Sequence, residues 1–134
     1  MTTAYSYELA VQRDFIAQHV LTVPDPEPPE GQIHSHHFEV ELHFAGDSLG
    51  EYGYLLNIVT VESILEDLVE RYRDSVLNDL PEFEGLNPSV ENFSRIFGDH
   101  VAERLSVAGE TTPDQLRVQI WEDDAAWASH TRTV

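Results

Sequence analysis

The segment from Ile33 to Phe44, IHSHHFEVELHF, alternates with a period of two and reads as a half-buried strand. His34, His36, Phe38, Val40, Leu42 and Phe44 share one face, while His37, Glu39, Glu41 and His43 share the other. The apolar face has to turn toward a core, and it carries two imidazoles with it. Such groups are costly on an inward face unless something bonds them. Any fold for this chain must therefore cover one side of this strand and also give His34 and His36 a partner.

The rest of the chain supplies the cover. Residues 4–20 begin with Tyr5, Tyr7, Leu9 and Val11 on one side, which predicts a preceding strand. The proline-rich TVPDPEPPEG between the two strands predicts an irregular loop. After AGDSLGEYG, the segment YLLNI predicts a short extended stretch. A helix follows, with Val61, Ile64, Leu65, Leu68, Val69 and Tyr72 on one stripe. The turn-rich LNDLPEFEGLNP leads to a second helix, N-capped by Ser89 and striped by Phe93, Ile96, Phe97, Val101 and Leu105. LRVQIWE and AAWASHTRT predict two closing strands. This order predicts an α+β fold, one antiparallel sheet covered on one face, as a single domain over residues 1–134. Four strands leave open edges, which predicts pairing with further copies.

With no cysteine in the chain, His, Asp and Glu are the only strong metal ligands it can offer. The net charge of −18 argues against a nucleic-acid partner, because phosphate neutralisation needs Lys and Arg. The acids are dispersed and 41% of the chain is hydrophobic, so the composition suits a folded surface adapted to concentrated salt rather than a disordered tail. No apolar run approaches membrane-spanning length and no leader pattern is visible, so a cytoplasmic protein without a membrane partner is expected.

His34 and His36 on one strand can share a metal ion, and His19 in FIAQH on the neighbouring strand is the natural third ligand. An HxH pair is also compatible with ordinary hydrogen-bonded histidines. FIAQH, EGQIHSHHFEV, GYLLNI, LNDLPEFEGLNPSVEN and VQIWED come in an order and at spacings that resemble the 6-pyruvoyl-tetrahydropterin synthase and 6-carboxytetrahydropterin synthase family. The resemblance implies the tunnelling fold, a four-stranded antiparallel sheet with two helices inserted between the second and third strands. It also implies assembly around a barrel, commonly as a hexamer of two trimers. It implies zinc on His19, His34 and His36, the HGH motif of the family standing here as His34-Ser35-His36. Glu122 stands at the family's pterin-anchoring glutamate, and Ser89 where relatives often carry a substrate-contacting threonine. On residues alone, Glu122 is a strand-end acid at the end of the Leu116, Val118, Ile120 face, and Ser89 an N-cap.

The catalytic trio of the family is altered. Its cysteine, four residues before the first motif histidine, is Glu30 here, and its Asp-His pair falls on Arg73 and Asp74. A desolvated glutamate can replace a thiolate as base. A branch of the family with glutamate at this place converts dihydroneopterin triphosphate to 6-hydroxymethyl-dihydropterin, which Glu30 resembles. Asp74 is the candidate substitute proton carrier. Against these stand the roles of Glu30 and Asp74 as solvated surface acids. The resemblance thus implies a zinc-dependent pterin lyase, with Glu30 and Asp74 catalytic and Glu122 and Ser89 binding substrate. The alternative is a zinc- and pterin-binding member whose proton chemistry has lapsed.

Overall fold

The computed structural model describes residues 4–134. Four strands, β1 (Tyr7–His19), β2 (His34–Gly46), β3 (Gln115–Trp121) and β4 (Trp127–Thr133), form one antiparallel sheet in the order β1-β2-β3-β4. Helices α1 (Ile58–Tyr72) and α2 (Val90–Ala108) lie between β2 and β3 in the chain, with two short 3-10 turns, Leu77–Asp79 and Pro81–Phe83, joining them. Helix α1 packs on β1, and α2 packs on β3 and β4.

Alternation decides which face is covered. Phe15 and Ala17 of β1, Phe38 to Phe44 at every second place of β2, and Leu116, Val118 and Ile120 of β3 are all buried under the helices. Phe93 of α2 stands at the centre, its ring edge-on to Phe38 at 5.4 Å, Tyr72 at 5.1 Å and Phe15 at 6.1 Å. Among the described residues the opposite face carries no helix and is mostly polar, with Ile16, Trp121 and Trp127 as large apolar exceptions. Among the described residues, no helix is long and apolar enough to cross a membrane.

Helix ends follow side-chain chemistry. Asn57 caps α1 by accepting from the Val59 N–H, and Ser89 caps α2 by accepting from the Asn92 N–H. Helix α2 stops at Gly109, whose φ of +78° a residue without Cβ adopts at little cost. The segment YLLNI, expected to be extended, bends at Leu55 and Leu56. Leu55 and Leu56 are instead buried in the bend that enters α1, because an apolar run this short serves equally as a core plug.

One polar network joins α1 and α2 to the turn between them. Arg71 grips both oxygens of Glu82, at 2.7 and 2.6 Å, while the Tyr72 hydroxyl donates to Glu82 at 2.9 Å. His100 Nε2 of α2 lies 3.3 Å from the same carboxylate. The bonds from Arg71 hold the Glu82 carboxyl down at about 2, well below its ordinary range. Burial pushes the Tyr72 hydroxyl up, and Glu82 pushes the Arg71 guanidinium up.

A carboxylate whose folded pKa is depressed stabilises the fold above its unfolded pKa, and that stability is lost as pH falls toward the folded value. Glu82→Gln is therefore expected to lower stability by about 1–3 kcal/mol at neutral pH. The gap from the unchanged protein should close between about pH 4.5 and pH 2. Urea titrations across that range check this, and a gap independent of pH would refute it.

Candidate metal centre

The pairing register of β1 and β2 builds the site. His19 stands opposite His34, and Ala17 opposite His36, so the small Ala17 leaves room for the His36 ring beside its neighbours. The three rings form a triangle with centroids 4.5 Å (His19 to His34), 4.9 Å (His19 to His36) and 4.8 Å (His34 to His36) apart. One ring nitrogen from each lies within 4.8 Å of the others, the one cluster of three such ligands among the described residues. His19 is buried at 1% exposure, and His34 and His36 are half-buried.

Backbone carbonyls determine which nitrogens face inward. His19 Nδ1 donates to the Pro88 carbonyl at 2.9 Å, and His34 Nδ1 donates to the Gln32 carbonyl at 2.8 Å. A carbonyl only accepts, so the proton sits on Nδ1 in both rings and each Nε2 keeps its lone pair. His19 Nε2 and His36 Nε2 are buried without a hydrogen-bond partner. Glu122 brings a carboxylate oxygen to 3.2 Å from His36 Nε2 and 3.6 Å from His19 Nε2. The cluster thus presents lone pairs and a negative charge to one small space, an arrangement that calls for a cation. A proton on His19 is a poor substitute: burial, followed by repulsion from His34 and His36, lowers its pKa to about 4. Imidazole nitrogens with their second nitrogens held by carbonyls fit a transition-metal ion such as zinc.

The other expected residues separate into two groups. Glu122 follows directly on β3, keeps the inward parity of Ile120 and so reaches the histidines. Ser89 caps α2 one residue after Pro88, whose carbonyl holds His19, and so stands close to the cluster through the chain. Glu30 is exposed on the loop between β1 and β2, its carbonyl accepting from the Leu21 N–H at 2.9 Å. Asp74 is exposed beyond α1 with φ +59°, its N–H donating to the Ile16 carbonyl. The nearby charges are engaged elsewhere, Arg71 by Glu82 and Arg73 by Glu70. His37, on the outward parity, pairs with Asp14 at 2.5 Å.

A cavity of about 560 Å³ adjoins the cluster. The ladder between β2 and β3 ends at Glu39 opposite Trp121, and beyond it the strands part. His36 and Glu122 line the cavity at this split, together with Asp14, Glu39, Trp121, Asp123 and Asp124. Parity alone places Asp14 and His37 on the uncovered face. Their meeting with the β3–β4 turn depended on a sheet order that sequence spacing does not contain.

The profile of the 6-pyruvoyl tetrahydropterin synthase family matches residues 8–133, nearly the whole chain. The chain belongs to this family. Its four-stranded sheet with two inserted helices is the family's tunnelling fold, and family members are lyases. The chain is similar to the 6-pyruvoyltetrahydropterin synthase of Plasmodium vivax, with 13% identity, a TM-score of 0.81, and coverage of 96% of this chain and 98% of that one. A variant of that enzyme altered at a catalytic residue, a glutamate replaced by alanine, superimposes with a TM-score of 0.79 at 14% identity, again over 96% and 98% of the two chains. The Caenorhabditis elegans 6-pyruvoyl tetrahydropterin synthase gives 13% identity and a TM-score of 0.78 over 99% and 100% of the two chains. No curated protein matches the sequence.

In the metal-stripped protein, the His19 imidazole is expected to stay neutral at pH 6, with its proton on Nδ1, and to titrate near pH 4. Its lowered folded pKa stabilises the fold above the unfolded value of 6.5, and that stability is lost as pH falls through about 4. Nitrogen-15 NMR of the ring reads both tautomer and midpoint. A midpoint near 6.5 would mean that burial does not govern this group.

Proposed function

We propose that this chain is a zinc-dependent pterin lyase acting on dihydroneopterin triphosphate or a related pterin, and giving 6-hydroxymethyl-dihydropterin. The observation that carries this reading is the convergence of three histidine nitrogens and the Glu122 carboxylate, with two rings locked by backbone carbonyls to present Nε2. Zinc held by His19, His34 and His36 supplies Lewis-acid polarisation of a side-chain oxygen of the pterin.

The chain's own residues do the rest. Glu122 accepts from the ring N–H and exocyclic amine of the pterin, a pair that suits a two-oxygen carboxylate. Ser89, beside the Pro88 carbonyl that holds His19, offers a hydroxyl to the substrate. Glu30 takes the proton from the hydroxyl on the second side-chain carbon. The bond between the first and second carbons then breaks, the second carbon leaves as an aldehyde, and the electron pair on the first carbon delocalises into the dihydropterin ring. Glu30 returns the proton to that carbon, so the cleavage is redox-neutral and consumes no co-reactant. Two facts support Glu30: its loop begins at His19 and ends at His34, and a glutamate is a catalytic residue in the Plasmodium vivax enzyme. Asp74 is the second proton carrier in this reading. We also read the chain as one domain that assembles into a homo-oligomer of two trimers through its open β1 and β4 edges.

A second reading has a specific observation in its favour. Glu30 and Asp74 are both exposed, and neither lines the cavity, as expected of a member that binds zinc and pterin without turning it over.

Substituting His36 with Ala is expected to abolish zinc retention after dialysis, measured by atomic absorption; retained stoichiometric metal removes the site. Glu30→Ala separates the two readings. As a lyase, the variant should lose at least about 100-fold in turnover while still binding the pterin. Undiminished turnover in the variant would point to another base, and no turnover by either protein would favour the binding role.

A further inference from the structure

All seven basic residues of this chain are arginines, against 25 acids. Arg13 is held by Glu62 and Glu66, and Arg71 by Glu82. Arg73 pairs with Glu70 and Arg104 with Asp67, while Arg95 and Arg132 share Asp99. Only Arg117 lacks a carboxylate partner among the described residues, and it donates to Gln119. Arg117 and Arg132 lie at the far end of the sheet, since Arg132 stands opposite Leu116. Five or six strand residues separate that level from Glu122, about 17–20 Å. A further copy brings six guanidinium groups already held by carboxylates, and Arg117 bonded to Gln119.

The cavity beside the histidines has the opposite character. Asp14, Glu39, Glu122, Asp123 and Asp124 line it, and its one cation, Arg13, is already shared by two glutamates. His37, the exposed imidazole there, is taken by Asp14. The first turn of α2 offers little to an anion, because Ser89 accepts from the Asn92 N–H and Glu91 adds negative charge. His36 lines the cavity with its Nε2 buried and without a hydrogen-bond partner, so the acidic lining borders the candidate metal cluster rather than standing as a merely solvated surface.

We infer that this site takes a pterin whose side chain is an uncharged polyol, and that the carboxylates around the cavity reject the triphosphate ester of the same compound. Resting on the pterin reading above, the inference narrows its substrate class. A polyol donates hydrogen bonds to carboxylates, whereas a triphosphate brings three or more negative charges to a cavity whose one guanidinium is already shared by two glutamates. Zinc alone would have to offset that repulsion.

The test is calorimetric binding of dihydroneopterin and of its triphosphate to the zinc-loaded protein, at about 0.15 M and about 1 M potassium chloride. At the lower salt the uncharged ligand is expected to bind at least about tenfold more tightly. The triphosphate should gain affinity as salt rises, because screening relieves repulsion, whereas a site with arginines for phosphate loses affinity with salt. Tighter binding of the triphosphate, or its weakening on addition of salt, overturns the inference and leaves the pterin lyase standing. Binding of neither ligand withdraws the pterin reading and the inference with it. The double variant Glu39→Gln/Asp124→Asn should shrink the preference for the uncharged ligand by about threefold or more. An unchanged ratio would show that these carboxylates do not set the selectivity.

Discussion

The thirteen-residue ladder between β1 and β2 is the constraint on which the site and much of the core depend. Its register puts His19 opposite His34 and, a few pairs along, Phe15 opposite Phe38. Because side chains alternate with a period of two, a slip of one residue would send His19 to the uncovered face and turn Phe15 and Ala17 out of the core. The same alignment that buries the aromatic centre around Phe93 therefore assembles the three histidines. Packing resists a slip far more strongly than the histidines could alone, so the core keeps the ligand geometry in place.

The centre itself is a balance of unsatisfied groups. Pro88 and Gln32 supply carbonyls that orient His19 and His34, and Glu122 crosses the split between β2 and β3 to face them. These contacts come from four separate parts of the chain and converge at one end of the sheet. Such a concentration of lone pairs is unfavourable without a cation, which is the physical link between this fold and metal chemistry. The acidity continues beyond the histidine cluster and Glu122, through Asp14, Glu39, Asp123 and Asp124, so the candidate metal site and the cavity beside it both draw cations. Concentrated salt would screen this charge.

Much of the fold was legible in the sequence because its signals are periodic. The two-residue alternation of Phe38 to Phe44 and the helical stripe from Val61 to Tyr72 named the buried faces, and Ser89 marked the start of α2. YLLNI, expected as a short extended stretch, bends at Leu55 and Leu56, because a five-residue apolar run has too little period to fix its backbone. Family resemblance placed His19, His34, His36 and Glu122 in one site, and the structure brings these four together. Glu30 and Asp74 stand on exposed segments whose placement no periodicity governs. The Glu82 network was not legible at all, since Arg71, Tyr72 and His100 meet it from two helices.

What the sequence by itself determined is the content of each face: alternation commits His34 and His36 inward and His37 outward, and composition commits the surface to negative charge without lysine. Tertiary structure alone decided which faces meet. It selected Pro88 and Gln32 as the carbonyls that set the histidine tautomers, aimed Glu122 at His36, and tied nearly every arginine to an acid. The reason is that period and parity are local properties of a backbone. Partnership depends on the order of strands in the sheet and the point at which β2 and β3 part, and that is settled only when the core closes.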